Sequence, residues 1–211
     1  YVLCLNDAKN QCSKCRRFAS ERSTSQIDYN ACRLMRVIRN PYNYFAASMC
    51  KRYIGKSDSV MTTNYVETSI PSFYYESRTE ATMVARREWT RRWWDYAVVS
   101  ETIVSSVAVL DELQSGNFPG RDNALSLIGT IGFLEIDEAI SEIVEAYIAH
   151  QLMPADPFGD ALHLAIASYH CCDFLVTWNC RHLANANKFG HIRRVNGILG
   201  LFVPSLVTPL E

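Results

Sequence analysis

Three carboxylates and one carboxamide stand at places in this sequence where side chains can do chemistry. Glu67 closes a short β-type run, Asn64-Tyr65-Val66, and Asn179 directly follows another, Asp173 to Thr177. Asp160 opens a helical stretch, and Glu112 lies on the helix that follows a third run, Glu101 to Ser105. Each has an ordinary explanation by itself. Asp160 beside Gly159 complements a helix dipole, worth about 0.3–1 kcal/mol; Asn179 suits an N-cap; and Glu112 next to Asp111 suits a solvated face. Glu67 is harder to dismiss, because Glu is depleted in strands. Gathered at one end of a sheet, the acids would repel one another unless a cation sat among them, and hard oxygen ligands select Mg²⁺ or Mn²⁺. Such a site suits phosphodiester hydrolysis: the metal polarises a phosphoryl oxygen and lowers the pKa of water, so no side-chain nucleophile is needed. None is evident, since the chain carries no Gly-x-Ser-x-Gly elbow, phosphate-binding Gly-rich loop or His-Glu-x-x-His.

The elements that must position these residues can be read from Met61 onward. Short β-type runs alternate with longer helical stretches, which predicts an α/β fold with a mainly parallel sheet between helices. The run Asn64 to Val66 is ended by Pro71, and Glu80 to Tyr96 reads as a helix rich in arginine and tryptophan. The strand Glu101 to Ser105 precedes helices over Ser106 to Gln114 and Pro119 to Thr130. Phe133 to Ile136 reads as a strand and Glu138 to His150 as an amphipathic helix, with Ile140, Ile143, Val144, Tyr147 and Ile148 on its apolar face. After the break at Pro154 and Pro157, the pattern gives a helix over Gly159 to Cys172 and the strand Asp173 to Thr177. A helical turn over Asn179 to Ala186, an Arg193 to Leu199 segment and a last strand at Ser205 to Val207 complete it. In open α/β sheets ligands sit beyond the carboxyl ends of the strands, where the four residues fall.

At these motifs residues 63–211 resemble the PIN-domain nucleases, specifically the VapC-type toxins of prokaryotic toxin–antitoxin pairs. The matching segments are Tyr65-Val66-Glu67-Thr68-Ser69-Ile70-Pro71-Ser72-Phe73, Ser106 to Leu113, Pro154 to Ala165 and Cys172 to Leu183, in the family's order. The resemblance implies a three-layer α/β/α PIN-like domain, Mg²⁺ or Mn²⁺ held by acids, and endoribonuclease activity on RNA restrained by a cognate antitoxin. It also implies a homodimer. Carried over by position, Glu67, Glu112 and Asp160 take the places of the metal-binding acids. Asn179 falls where many members carry a fourth acid. Two departures matter: Glu67 is one methylene longer than the usual Asp, and Asn179 supplies neither charge nor base. Ser69, Thr177 and Arg181 are placed to orient substrate or water, although a hydroxyl that satisfies local backbone is the commoner arrangement.

Composition bounds the rest. The chain has 211 residues, 48% of them apolar, enough for a core. No stretch approaches the roughly 18–20 apolar residues of a membrane-spanning helix, so a cytoplasmic protein without membrane association is expected. Charge is uneven: residues 1–60 carry 11 Lys+Arg against 4 Asp+Glu, a net of +7, and residues 61–211 carry 10 against 18, a net of −8. The first 60 residues read as a basic, Cys-containing extension outside the functional domain, with Met61 as its start. Cys12 and Cys15 have the spacing of a metal knuckle but lack a matching second pair. Cys171, Cys172 and Cys180 are expected as reduced packing residues. His163, a helical step from Asp160, is expected to be buried and hydrogen-bonded.

Two further groups are weighed as nucleic-acid contacts. Arg86, Arg87, Arg91 and Arg92 interleave with Trp89, Trp93 and Trp94, offering either phosphate and stacking contacts or core packing. Lys188, His191, Arg193 and Arg194 form a basic cluster near the C-terminus. A domain at −8 repels RNA at long range, so binding must be local, or the acidic face must serve a basic antitoxin segment. The alternatives are another Mg²⁺-dependent nuclease acting on DNA or structured RNA, and a degenerate PIN-like interaction module inactivated at Asn179.

Overall fold

The computed structural model describes residues 61–211, so the Cys12–Cys15 pair and the rest of the basic extension lie outside the described residues. Five parallel strands form one sheet: β1 (Thr63–Val66), β2 (Thr102–Ser106), β3 (Gly132–Leu134), β4 (Phe174–Val176) and β5 (Ser205–Val207), in the order β3-β2-β1-β4-β5. Helices α1 (Ser69–Tyr74) and α2 (Ala81–Ser100) cross from β1 to β2, and α3 (Val107–Ser115) and α4 (Arg121–Ile128) from β2 to β3. Helices α5 (Glu138–Ala149) and α6 (Asp160–Tyr169) lead back to β4, and α7 (Ala186–Leu199) leads to β5. None of these helices is long and apolar enough to cross a membrane.

Alternation along the central strands builds two cores. Tyr65 pairs with Val104 of β2 and Leu175 of β4 in register, and all three side chains belong to one apolar cluster with Ile140, Val144, Tyr147, Leu164, Ile166, Ile192 and Val195 of α5, α6 and α7. Their neighbours Val66, Ile103 and Val176 point to the opposite face and pack with Ile70, Trp94, Ala97, Val109, Leu113 and Ile128 of α1 to α4. Strands with apolar residues on both faces are those of a parallel sheet covered on both sides, and the result is the expected three-layer α/β/α arrangement. Each fully buried Leu or Ile stabilises it by about 1.5–3 kcal/mol.

The strand order locates the functional edge. From β1 the chain winds outward through β2 and β3, then returns to the other side of β1 for β4 and β5. The winding therefore reverses between β1 and β4, and the crevice outside their carboxyl ends is where open α/β sheets bind ligands.

Several local expectations are corrected. Pro71 is not what ends the first strand, which stops at Val66; it sits in the first turn of α1, where no helical N–H is required of it. Helix α2 runs to Ser100 rather than Tyr96, held by the burial of Trp94 and Ala97 and by the Glu101 N–H donated to the Ala97 carbonyl. Val98 and Val99 resemble a strand in sequence, but packing of that last turn decides. The segment from Arg193 is the second half of the 14-residue helix α7. Gly190 obscures that helix in sequence; its actual start is set by Asn185, whose side chain accepts the Asn187 N–H at 3.0 Å. Cys172 is a buried free thiol and Cys180 an exposed one.

A buried polar relay ties α7 to the helices beside it. Tyr147 Oη donates to Asn196 Oδ1 at 2.7 Å, and Asn196 Nδ2 donates to Ser168 Oγ at 3.0 Å and to the Phe202 carbonyl at 2.7 Å. Asn196→Ala removes one of the two partners of the Tyr147 hydroxyl and takes its donor from the Phe202 carbonyl, so it is expected to lower the unfolding free energy by about 1–3 kcal/mol. Urea denaturation tests this, and adding Tyr147→Phe to Asn196→Ala should recover part of the loss.

Candidate active site at the carboxyl edge of the sheet

Glu67 is the first residue past β1, and strand alternation turns it away from Val66 towards the layer that contains α6. It is 6% exposed. Its carboxylate accepts the Ser69 backbone N–H at 2.9 Å and the Ser69 hydroxyl, and the Thr177 hydroxyl also bonds to it. Ser69 Oγ in turn accepts the Trp178 N–H at 2.7 Å, so one hydroxyl fastens the acid after β1 to the backbone after β4.

Glu112 reaches the same edge from α3. Its carboxylate accepts the Thr68 hydroxyl and meets His163 Nε2 at 3.1 Å. His163, on α6 one turn after Asp160, is 2% exposed. Its Nδ1 lies 2.9 Å from Tyr65 Oη, which lies 2.8 Å from Ser106 Oγ. A continuous relay thus runs from Ser106 through Tyr65 and His163 to Glu112 and Thr68. The sequence reading anticipated the buried histidine and missed Tyr65, Ser106 and Thr68. The signal for them was position: Tyr65 shares a strand face with Glu67, and Ser106 and Thr68 each stand directly before a helix.

Asp160 is the first residue of α6 and accepts Asn179 Nδ2 at 2.8 Å. Asn179 is fully engaged: its N–H donates to Thr177 Oγ1 at 2.8 Å, and its Oδ1 accepts the N–H groups of Arg181 at 3.2 Å and His182 at 3.1 Å. It therefore caps the turn after β4 and aims its amide at Asp160. Ser69 and Thr177 position Glu67 and Asn179 through hydrogen bonds. Arg181 contributes its backbone to this turn while its side chain is exposed.

The electrostatics follow from burial. Loss of hydration pushes the Glu67 carboxyl above its ordinary range, against the opposing pull of His163, Ser69 and Thr177. Burial likewise lifts Asp160 and the Glu112 charge adds to it, while His182, His163 and Asn179 oppose. For Glu112 burial also disfavours the charge, but the His163 hydrogen bond and charge, with the Thr68 hydroxyl, outweigh it and hold the carboxyl below its usual range. His163 is the counterpart. Burial disfavours the imidazolium, yet the Glu112 hydrogen bond and the charges of Glu112, Glu67 and Asp160 raise its pKa. One imidazole thus senses all three acids.

The donor set is hard oxygen, the chemistry that suits Mg²⁺ or Mn²⁺ rather than softer metals. Each carboxylate is turned to its own hydrogen-bond partner, and no group of three or more His, Cys, Asp or Glu among the described residues is arranged to enclose a metal ion. Beside Glu112 opens a cavity of ≈ 610 Å³ lined by Val107, Ala108, Ile136, Phe158 and Leu162 with Asp111 at its rim. The other basic residues separate. Lys188 Nζ donates to the Leu152 carbonyl at 3.2 Å, and Arg193 and Arg194 are exposed on α7. The aromatic residues of α2 pack: Trp94 is buried, and Trp89 stacks on Trp178 with 6.2 Å between ring centroids.

Compared with known proteins, the chain matches no family model and no curated protein.

The raised pKa of Glu67 carries a stability consequence. A carboxyl with a higher pKa in the native state costs nothing below the unfolded value, about 4.3, and destabilises the fold progressively as pH rises through the native value. Glu67→Gln removes that cost and keeps an acceptor for the Ser69 N–H. In EDTA its thermal midpoint should exceed the parent's at pH 7.5, by about 2–4 °C per kcal/mol relieved, with the gain closing near pH 4. An unchanged or lower midpoint at pH 7.5 would show that this carboxylate is not held at a cost.

Proposed function

We propose that this protein is a metal-dependent endoribonuclease that hydrolyses RNA phosphodiester bonds, as the toxin of a toxin–antitoxin pair. The single observation that carries the reading is the placement of Glu67, Glu112 and Asp160, within electrostatic reach of one buried histidine, at the edge where the winding of a parallel sheet reverses. Burial that raises the pKa of Glu67 and Asp160 adds to it, since buried acids with perturbed pKa values cluster at functional sites.

Glu67, Glu112 and Asp160 would hold Mg²⁺ or Mn²⁺, with Asn179 beside Asp160 as a neutral neighbour. When bound, the cation supplies Lewis-acid polarisation of a phosphoryl oxygen and an acidified water. The residues of the chain supply the rest. Ser69 and Thr177 hold Glu67 against the backbone of β4, Asn179 sets the rotamer of Asp160, and Thr68 and His163 fix both oxygens of Glu112. His163 offsets part of the negative charge of the edge. Second partners of this kind orient ligands and are worth about 10–100-fold in metal affinity.

The proposed antitoxin fits the same edge. An arginine among the carboxylates would pair with their fork geometry, and the apolar cavity beside Glu112 would take a neighbouring side chain. For the proposed homodimer, the apolar residues that α2 leaves exposed at its C-terminal end, Tyr96, Val98 and Val99, would supply apolar contact area.

The full chain incubated with single-stranded RNA and Mn²⁺ or Mg²⁺ is expected to cleave it, and EDTA should abolish cleavage. Asp160→Asn should lower kcat/KM by at least about 100-fold with an unchanged circular dichroism spectrum. Cleavage confined to DNA would move the assignment to a different nuclease. No metal-dependent cleavage by folded protein on varied RNAs would replace the enzyme with an interaction module.

A further inference from the structure

Of the arginines on α2, three are accounted for by their surroundings. Arg87 Nε meets Glu88 at 3.1 Å and its Nη1 donates to the Glu76 carbonyl. Arg91 donates to the Tyr74 carbonyl at 2.9 Å, lies over the Tyr74 ring and sits 4.0 Å from Glu88. Arg92 is exposed on the outer face. Arg86 differs from all of them. Its guanidinium lies 5.4 Å from the Phe73 ring centroid and 5.3 Å from that of Trp178, and it has neither a carboxylate nor a carbonyl partner among the described residues.

Both rings under Arg86 lie on segments that leave the carboxyl ends of strands β1 and β4. Phe73 is on α1, which follows β1, and Trp178 stands between β4 and Asn179. Trp178 is itself immobilised: its Nε1 donates to Thr90 Oγ1 at 2.7 Å, its backbone N–H donates to Ser69 Oγ, and Trp89 stacks on its indole. The guanidinium is therefore half-buried, packed over two rings without a hydrogen-bond partner among the described residues, and tied to the segments that carry Ser69 and Asn179. A guanidinium packed over aromatic rings and bonded to no acceptor keeps its N–H donors for another partner, and their fork matches a phosphate. A cation–π contact of this kind is worth about 0.5–2 kcal/mol and satisfies none of those donors.

We infer that Arg86, packed over Phe73 and Trp178, is a phosphate-binding residue that holds a phosphodiester of single-stranded RNA beside the cleavage site. The inference rests on the nuclease reading of the carboxylate edge and adds what that edge lacks. A region with a net charge of −8 repels a polyanion, so strand binding needs a cation that is held in place and not already paired with an acid. Trp89, 37% exposed on the outer side of Trp178, extends the same platform and offers a face on which a neighbouring base can stack.

The test measures binding apart from cleavage. A fluorescein-labelled single-stranded 20-nucleotide RNA is titrated with the full-length protein in EDTA, by anisotropy, over a series of salt concentrations. Arg86→Met keeps the packing bulk of the stem and removes the charge; Arg86→Lys keeps the charge and loses the fork. Arg86→Met should weaken binding by about 5–10-fold and reduce the salt slope by about 0.7, the value for one phosphate contact on a single strand, with Arg86→Lys in between. The slope separates contact from structure, because a merely structural residue changes affinity without removing a released counterion. An unchanged slope in both variants overturns the assignment of Arg86 and leaves the nuclease reading intact if metal-dependent cleavage persists. Arg86-dependent binding without metal-dependent cleavage keeps the phosphate contact and overturns the nuclease. Wild-type protein that neither binds nor cleaves overturns both.

Discussion

Negative charge that a parallel sheet brings to its own carboxyl edge, and then buries, has to be compensated from within, and in this protein the compensation is centred on one imidazole. His163 is buried, bonded to Glu112, and drawn towards its charged form by Glu112, Glu67 and Asp160 together. Burying a carboxylate without such compensation is among the costliest things a fold can do. The hydroxyls at the edge are accordingly committed: Ser69 and Thr177 to Glu67, Thr68 to Glu112, Tyr65 to His163 and Ser106 to Tyr65. Among the described residues no buried side-chain polar atom is left without a hydrogen-bond partner. The acids remain nonetheless unequal: Glu67 and Asp160 are lifted by desolvation while Glu112 is held down by its histidine, so the three differ in their readiness to take a cation.

The two halves of the molecule meet at this edge. Winding outward from β1 in both directions places α1 to α4 on one face of the sheet and α5 to α7 on the other. Glu112 comes from the first set, Asp160 and His163 from the second, and Glu67 from the strand between them. Trp178 joins the layers in the other sense, with its indole in the core beneath α2 and its backbone bonded to Ser69. A perturbation of either helical layer therefore reaches the acids through one or two hydrogen bonds, which is the physical basis for expecting Phe73, Thr90 and Trp178 to matter to the site although none carries a charge.

Much of the architecture was legible because hydrophobic periodicity and turn residues are local signals. Ser205 to Val207 was read to the residue, and β1, β2, β4 and α5 to within one or two. The failures share a cause. Helix α1 carries a proline and is only six residues long, the end of α2 is β-branched, and α7 contains Gly190 and Gly197. In each case local propensity points away from helix, and packing or a cap overrides it. The aromatic residues of α2 were equally ambiguous, since a Trp–Arg alternation is compatible with a core or with a nucleic-acid surface until the partners are known. The partners divide them: Trp94 is core, Trp89 lies on Trp178, and of the four arginines on α2 Arg86 is the one packed over rings without a hydrogen-bond partner among the described residues.

By itself the sequence determined the residue types at the ends of the strands. A Glu closing an apolar run, an Asp opening a helix and an Asn after the next strand are facts of local order, and with the alternation of β and α they suffice to place an acidic edge on a parallel sheet. What only the tertiary structure decided is which groups answer those acids. Tyr65 and His163 are 98 residues apart and Thr68 and Glu112 are 44 apart, separations over which no periodicity speaks. Hydrogen bonding is directional and short-ranged, so whether a hydroxyl satisfies its own backbone, an acid or a histidine depends on sub-ångström placement set by the packing of two helical layers on one sheet.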